Sequence, residues 1–123
     1  MKKLRGFYIG VYGDPTAKEL TIEDHFEKLQ ETIDCRCFTI AQRKIGGKYY
    51  DIVADDEGLF VENPCPSAVN SRGEVMLVGN LFICRHKGPD LKSLTDDEVA
   101  AIKKNLRLIV TTRGVTPVIV CEY

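Results

Sequence analysis

Apolar and small or polar residues alternate at the start of the chain: Phe7, Ile9 and Val11 share one parity, with Tyr8, Gly10 and Tyr12 on the other. A period of two predicts a strand over Gly6 to Tyr12, and Gly13-Asp14-Pro15 closes it with turn chemistry. The period then changes. Ile22, Phe26, Leu29 and Ile33 recur at spacings of four, three and four, a single apolar stripe that predicts a helix from about Ile22 to Ile33. Thr21 stands where its hydroxyl can cap the free amides of the first turn, and Glu23 and Asp24 suit the positive end of the helix dipole.

Residues 37 to 54 read as a hairpin, because Gly46-Gly47 supplies two adjacent positions free to take positive φ, as a two-residue type I′ turn requires. That turn sets the register: Ile45 opposite Lys48, Arg43 opposite Tyr50, Ala41 opposite Ile52 and Ile40 opposite Val53. The face carrying Phe38, Ile40 and Val53 is the expected core face. Asp55-Asp56-Glu57-Gly58 is a further turn, with Leu59-Phe60-Val61 returning as a short strand. Asn63-Pro64-Cys65-Pro66 reads as a loop, since each proline lacks a ladder donor, and a helical turn is expected around Ser67 to Asn70. Glu74 to Arg85, interrupted at Gly79-Asn80, reads as two short strands or one bulged strand, ended by Gly88-Pro89-Asp90.

The second helix has the clearest signal. Thr95 and Glu98 stand at capping-box spacing, and Leu94 and Val99 occupy the positions of a hydrophobic staple. Val99, Ile102, Leu106, Ile109 and Val110 continue the stripe toward Gly114, a candidate left-handed stop. The alternative is a helix that stops near Arg107, with Leu108 to Thr112 as a strand. Val118 to Tyr123 is the final strand. The predicted class is α+β: a largely antiparallel or mixed sheet of five or six strands with both helices packed on it, in one domain of 123 residues.

Composition narrows the function. Seventeen Lys and Arg against eighteen Asp and Glu leave a net charge of −1, which provides no overall basic field for nucleic acid. Met1-Lys2-Lys3-Leu4-Arg5 begins like a basic signal-peptide region, but no long apolar run follows, and no stretch is long enough to span a bilayer. A cytoplasmic protein is expected. Five cysteines, an odd number, then fit reduced thiols better than disulfides.

Candidate chemistry concentrates in a few places. Cys35-Arg36-Cys37 and Cys84-Arg85-His86 each space two soft ligands by one residue, so alternation in a strand puts each pair on one face. Cys35, Cys37, Cys84 and His86 in register are a donor set suited to tetrahedral zinc, against which stands the role of free cysteine as a small core residue. No other cofactor is expected. Cys84 and His86 are also the candidates for a small enzyme or nucleotide-binding protein, although no depressed-pKa thiol site is evident and no catalytic set is assigned. His25 lies beside the first helix's stripe and is expected to face solvent. Asp55, Asp56 and Glu57 lack the ligand spread of a calcium loop and read as a solvated turn. Arg43, Lys44 and Lys48, with Tyr49 and Tyr50, form a basic and aromatic cluster at the hairpin tip, the one candidate for nucleic acid.

The segments Ile52-Val53-Ala54-Asp55-Asp56-Glu57-Gly58, the proline loop after them, Gly79-Asn80-Leu81-Phe82-Ile83 and Ser93-Leu94-Thr95-Asp96-Asp97-Glu98 carry a resemblance. From about Phe26 to Leu106 the chain resembles a family of small bacterial, phage and mobile-element proteins known as a domain of unknown function. The resemblance implies a shared fold and no catalytic residues. The leading expectation is therefore a non-enzymatic binding or accessory module for a protein or small ligand, with no membrane partner. A homodimer through an exposed edge such as the final strand is a further expectation.

Overall fold

The computed structural model describes residues 2–61, 63–111 and 114–122. They form β1 (Lys3–Gly10), β2 (Thr16–Glu23), α1 (Phe26–Ile33), β3 (Phe38–Ile45), β4 (Lys48–Asp55), a 3-10 turn (Gly58–Phe60), β5 (Pro66–Asn70), β6 (Val75–Val78), β7 (Leu81–Lys87), β8 (Asp90–Lys92), α2 (Asp96–Lys104), β9 (Leu106–Thr111) and β10 (Gly114–Cys121). The first sheet has the order β2-β1-β7-β4-β3, with β8 pairing on β7, and the second has the order β6-β5-β10-β9. Pairing is antiparallel except between β5 and β10, which run parallel. The class is α+β, as the sequence pattern predicts.

Two cores explain the layering. Phe7, Ile9, Ile52, Leu81 and Ile83 on one face of the first sheet pack with Ala68 and Ile119 of the second and with Val99 and Ile102 of α2. Leu4, Val53, Phe82 and Cys84 on the opposite face meet Leu29 and Ile33 of α1. Strands β4 and β7 are thus buried on both faces, which is why Ile52-Val53-Ala54 and Leu81-Phe82-Ile83 are unbroken apolar runs. Close packing reaches the backbone at Gly6, where a Cβ would lie 2.3 Å from the Phe82 ring. Asn80 joins the layers: its Oδ1 accepts from the Val11 amide at 2.9 Å and its Nδ2 donates to the Ile33 carbonyl at 3.3 Å.

The hairpin matches its predicted register at every pair, and Gly46 and Gly47 both take positive φ. The capping box of α2 is complete, and Leu94 and Val99 are buried in one cluster. The break at Gly79-Asn80 separates two strands, β6 and β7.

Several segments differ from expectation, for identifiable reasons. Thr21 and Ile22 belong to β2, which pairs with β1 along its whole length, so α1 begins only at Phe26 and His25 is its N-cap. Ile22 is buried because it opposes Leu4; its spacing to Phe26 fits either element. Leu59 and Phe60 lie in the 3-10 turn, and Ser67 to Asn70 are strand, with Pro66 at the strand's first position, where no donor is needed. The longer second helix is not formed. It stops at Lys104, and β-branched Ile109 and Val110 lie in β9, paired with β10. Thr112 and Tyr123, included in the sequence readings, lie outside the described residues. The Phe38 face is only partly covered, since an eight-residue helix is about 12 Å long and does not reach Ile40 on the edge strand β3.

Candidate binding groove

The acidic turn after β4 is built by its own side chains. Asp55 Oδ1 accepts from the Glu57 amide at 2.9 Å, and Arg36 grips the Glu57 carboxylate at 2.6 and 3.1 Å, holding that carboxyl below its usual range. The Phe60 amide then donates to the Glu57 carbonyl at 3.0 Å, closing the 3-10 turn. Gly58 is buried against Val78, where a Cβ would come within 3.1 Å of a methyl group. With Gly58 pressed onto β6, Leu59 and Phe60 are turned outward, 74% and 84% exposed.

Between this turn and β6 lies an open groove of about 300 Å³. Val75 to Val78 form one side, Leu59 and Phe60 the other, buried Ala54 lies at its base, and Asp55 and Asp56 complete its lining. Both β3, whose Thr39 joins the lining, and β6 are edge strands, so the groove opens where the two sheets part. An apolar concavity with few polar groups is the usual form of a binding site. The sequence pattern predicts a short strand over Leu59 to Val61 rather than an exposed turn, because a three-residue apolar run after a turn reads equally well as a strand.

The other candidates occupy different parts of the molecule. Cys35 and Cys37 lie in the bend between α1 and β3, outside any strand. Cys84 is fully buried, and His86 is on the exposed end of β7. Among the described residues no three His, Cys, Asp or Glu side chains form a group able to hold a metal ion. Burial, reinforced by nearby carboxylates, pushes the Cys35 thiol up to about 11 and the Cys84 thiol up to about 12. Neither environment favours the free thiolate that an unaided nucleophile requires.

His86 does have a partner. Its Nδ1 lies 2.7 Å from the buried carboxylate of Asp51, which also accepts from Gln42 Nε2 at 3.3 Å. Asp51 directly opposes Cys84 across the β4–β7 ladder. The carboxylate orients the imidazole and is itself satisfied, and the Cys84 thiol across the ladder is buried, which disfavours its ionisation. His25, half-exposed, accepts from the Lys28 amide at 3.2 Å as the cap of α1.

Two of the three basic side chains of the hairpin pair with carboxylates. Lys44 pairs with Glu122 at 3.6 Å, and Glu122 also accepts from the Gly47 amide, which fastens the tip to the end of β10. Lys48 pairs with Glu98 at 2.9 Å, and Arg43 donates to the Gln42 carbonyl of its own strand. Tyr50 is buried beneath Arg85, leaving Tyr49 as the exposed ring, with Lys44 5.9 Å from its centroid. Buried Tyr50 has no face free to stack on a base.

Fold and groove together define a two-sheet α+β domain with an apolar site at the opening between its sheets. The chain belongs to the DUF3846 family, a domain of unknown function, which matches residues 9–107. That span contains every lining residue of the groove. No curated protein and no solved structure matches the chain. No helix among the described residues is long and apolar enough to cross a membrane.

Proposed function

We propose that this chain is a non-catalytic binding module that takes an extended, apolar segment of a partner protein into the groove between the 58–60 turn and β6. The observation that carries this reading is the exposure of Leu59 and Phe60 beside an edge strand. An extended segment can add to β6 through main-chain hydrogen bonds while alternate side chains enter the groove. Asp55 and Asp56 favour a segment with a lysine or arginine beside its apolar residues. The unpaired cysteines agree with work in the reducing cytoplasm, and the resemblance noted above agrees with an accessory role in a phage or mobile element.

Selection of a displayed random peptide library on the folded protein tests the reading. Peptides with alternating apolar residues and a nearby basic residue are expected, and Phe60→Ser should weaken them at least about tenfold, as loss of an aromatic anchor does. No enrichment, or equal binding to the Phe60→Ser variant, would overturn it.

A further inference from the structure

We infer that β9 is a self-association edge, and that two copies of this chain pair β9 to β9 across a two-fold axis to join their second sheets. The inference rests on an edge that differs from the others. The outer strand β2 carries Lys18, Glu19 and Glu23, and β3 carries Arg43 and Lys44, charges of the kind that discourage strand addition. Strand β8 is only three residues long, and β6, four residues long, borders the groove and offers less length than a six-residue self-pairing uses. Strand β9 is six residues, Leu-Arg-Leu-Ile-Val-Thr, without proline and with a single charge. That charge is held close to the backbone: the Arg107 guanidinium donates to the carbonyls of Lys104, at the end of α2, and of Leu106, the first residue of β9, at 2.9 and 2.7 Å.

The strand also carries apolar surface that its own molecule does not cover. Leu106 opposes Ile119, and both pack into the main core; two and four residues further along, Leu108 opposes Pro117 and Val110 opposes Val115. Alternation puts these on the same side as Leu106, yet Leu108, Val110 and Val115 are 73%, 84% and 54% exposed. The β9–β10 hairpin therefore extends its core-facing side beyond what the first sheet covers.

A second copy fits this edge because an antiparallel pair of identical strands is self-complementary about a two-fold axis. With the axis at Leu108 or at Ile109, residues of like parity oppose one another. Leu106, Leu108 and Val110 of both copies then lie on one face, and the result is one eight-stranded sheet with the order β6-β5-β10-β9 followed by its reverse. Six strand residues and three apolar side chains bury less than the roughly 800 Å² per partner of a standard interface, so the dimer is reversible and depends on concentration.

Sedimentation velocity of the intact chain from micromolar to millimolar concentration tests this, with Leu108→Lys and Val110→Lys as comparison variants and circular dichroism to check their folding. Both positions are exposed in the single chain, so the fold should hold. The wild type should pass from monomer to dimer, and either lysine should raise the dissociation constant at least tenfold. A wild type that stays monomeric to millimolar concentration would overturn the inference, and so would a dimer that both folded variants retain unchanged. Neither result depends on the β6 groove, which lies at the opposite edge of the same sheet.

Discussion

Glu98 serves three neighbours at once. Its carboxylate accepts from the Thr95 amide at 2.8 Å, from Lys48 at 2.9 Å and from Arg85, while its side chain is almost wholly buried. Burial works against ionisation, but the hydrogen bonds from Lys48, the Thr95 amide and Arg85 outweigh it and hold the carboxyl down at about 2, from an ordinary 4.5. A carboxyl depressed in the folded state contributes its full stability above pH 4.5 and loses it as the pH falls toward 2. Glu98→Gln should therefore cost about 2 kcal/mol at neutral pH, below the range for fully buried pairs because Lys48 is half-exposed. It should also flatten the stability profile between pH 4.5 and 2, as urea unfolding across that window would record. The sequence made only Glu98's bond to Thr95 legible, because that partner lies one helical turn away. Lys48 and Arg85 come from other strands, and so does the Asp51 partner of His86; pairings of this kind depend on sheet order, which local periodicity does not encode.

Elements were legible where local chemistry decides them. The type I′ hairpin and the capping box both follow from short-range backbone needs, and both appear as predicted. Thr95→Ala should cost about 1 kcal/mol in denaturant unfolding, the ordinary worth of an N-cap. Elements were not legible where two periods coincide. Ile22 and Phe26 fit a helical stripe, but Ile22 also faces Leu4 across β1 and β2, and the long-range pairing prevails. Leu106 to Val110 likewise continue a helical stripe by spacing, whereas their pairing with β10 makes them a strand. Asn80 shows how one side chain links elements that lie apart in sequence. Asn80→Ala would leave the Val11 amide and the Ile33 carbonyl without their buried partner, so a loss of roughly 2–4 kcal/mol is expected in the same unfolding measurement.

At the scale of the molecule, the chain alternates between its sheets, and the strands it leaves at the edges determine what it presents outside. The acidic turn pins the 58–60 segment against β6 at one edge of the second sheet, and β9 forms the other edge. A β9-paired dimer would carry two grooves at the far ends of one continuous sheet, suited to a partner with repeated segments. The sequence resemblance reached the turns and caps that frame the groove, Asp55 to Gly58 and Gly79-Asn80 among them. It could not reveal that Leu59 and Phe60 stay outside the core, since exposure is a property of the assembled layers. The groove's use is tested most directly by nuclear magnetic resonance, following backbone amide shifts of the protein as a selected apolar-basic peptide is titrated in. Shifts centred on Gly58 to Val61 and Val75 to Val78 are predicted, with exchange protection of the β6 amides. Shifts centred instead on the Arg43 to Tyr50 hairpin, or on Gln42, Asp51 and His86, would contradict the account.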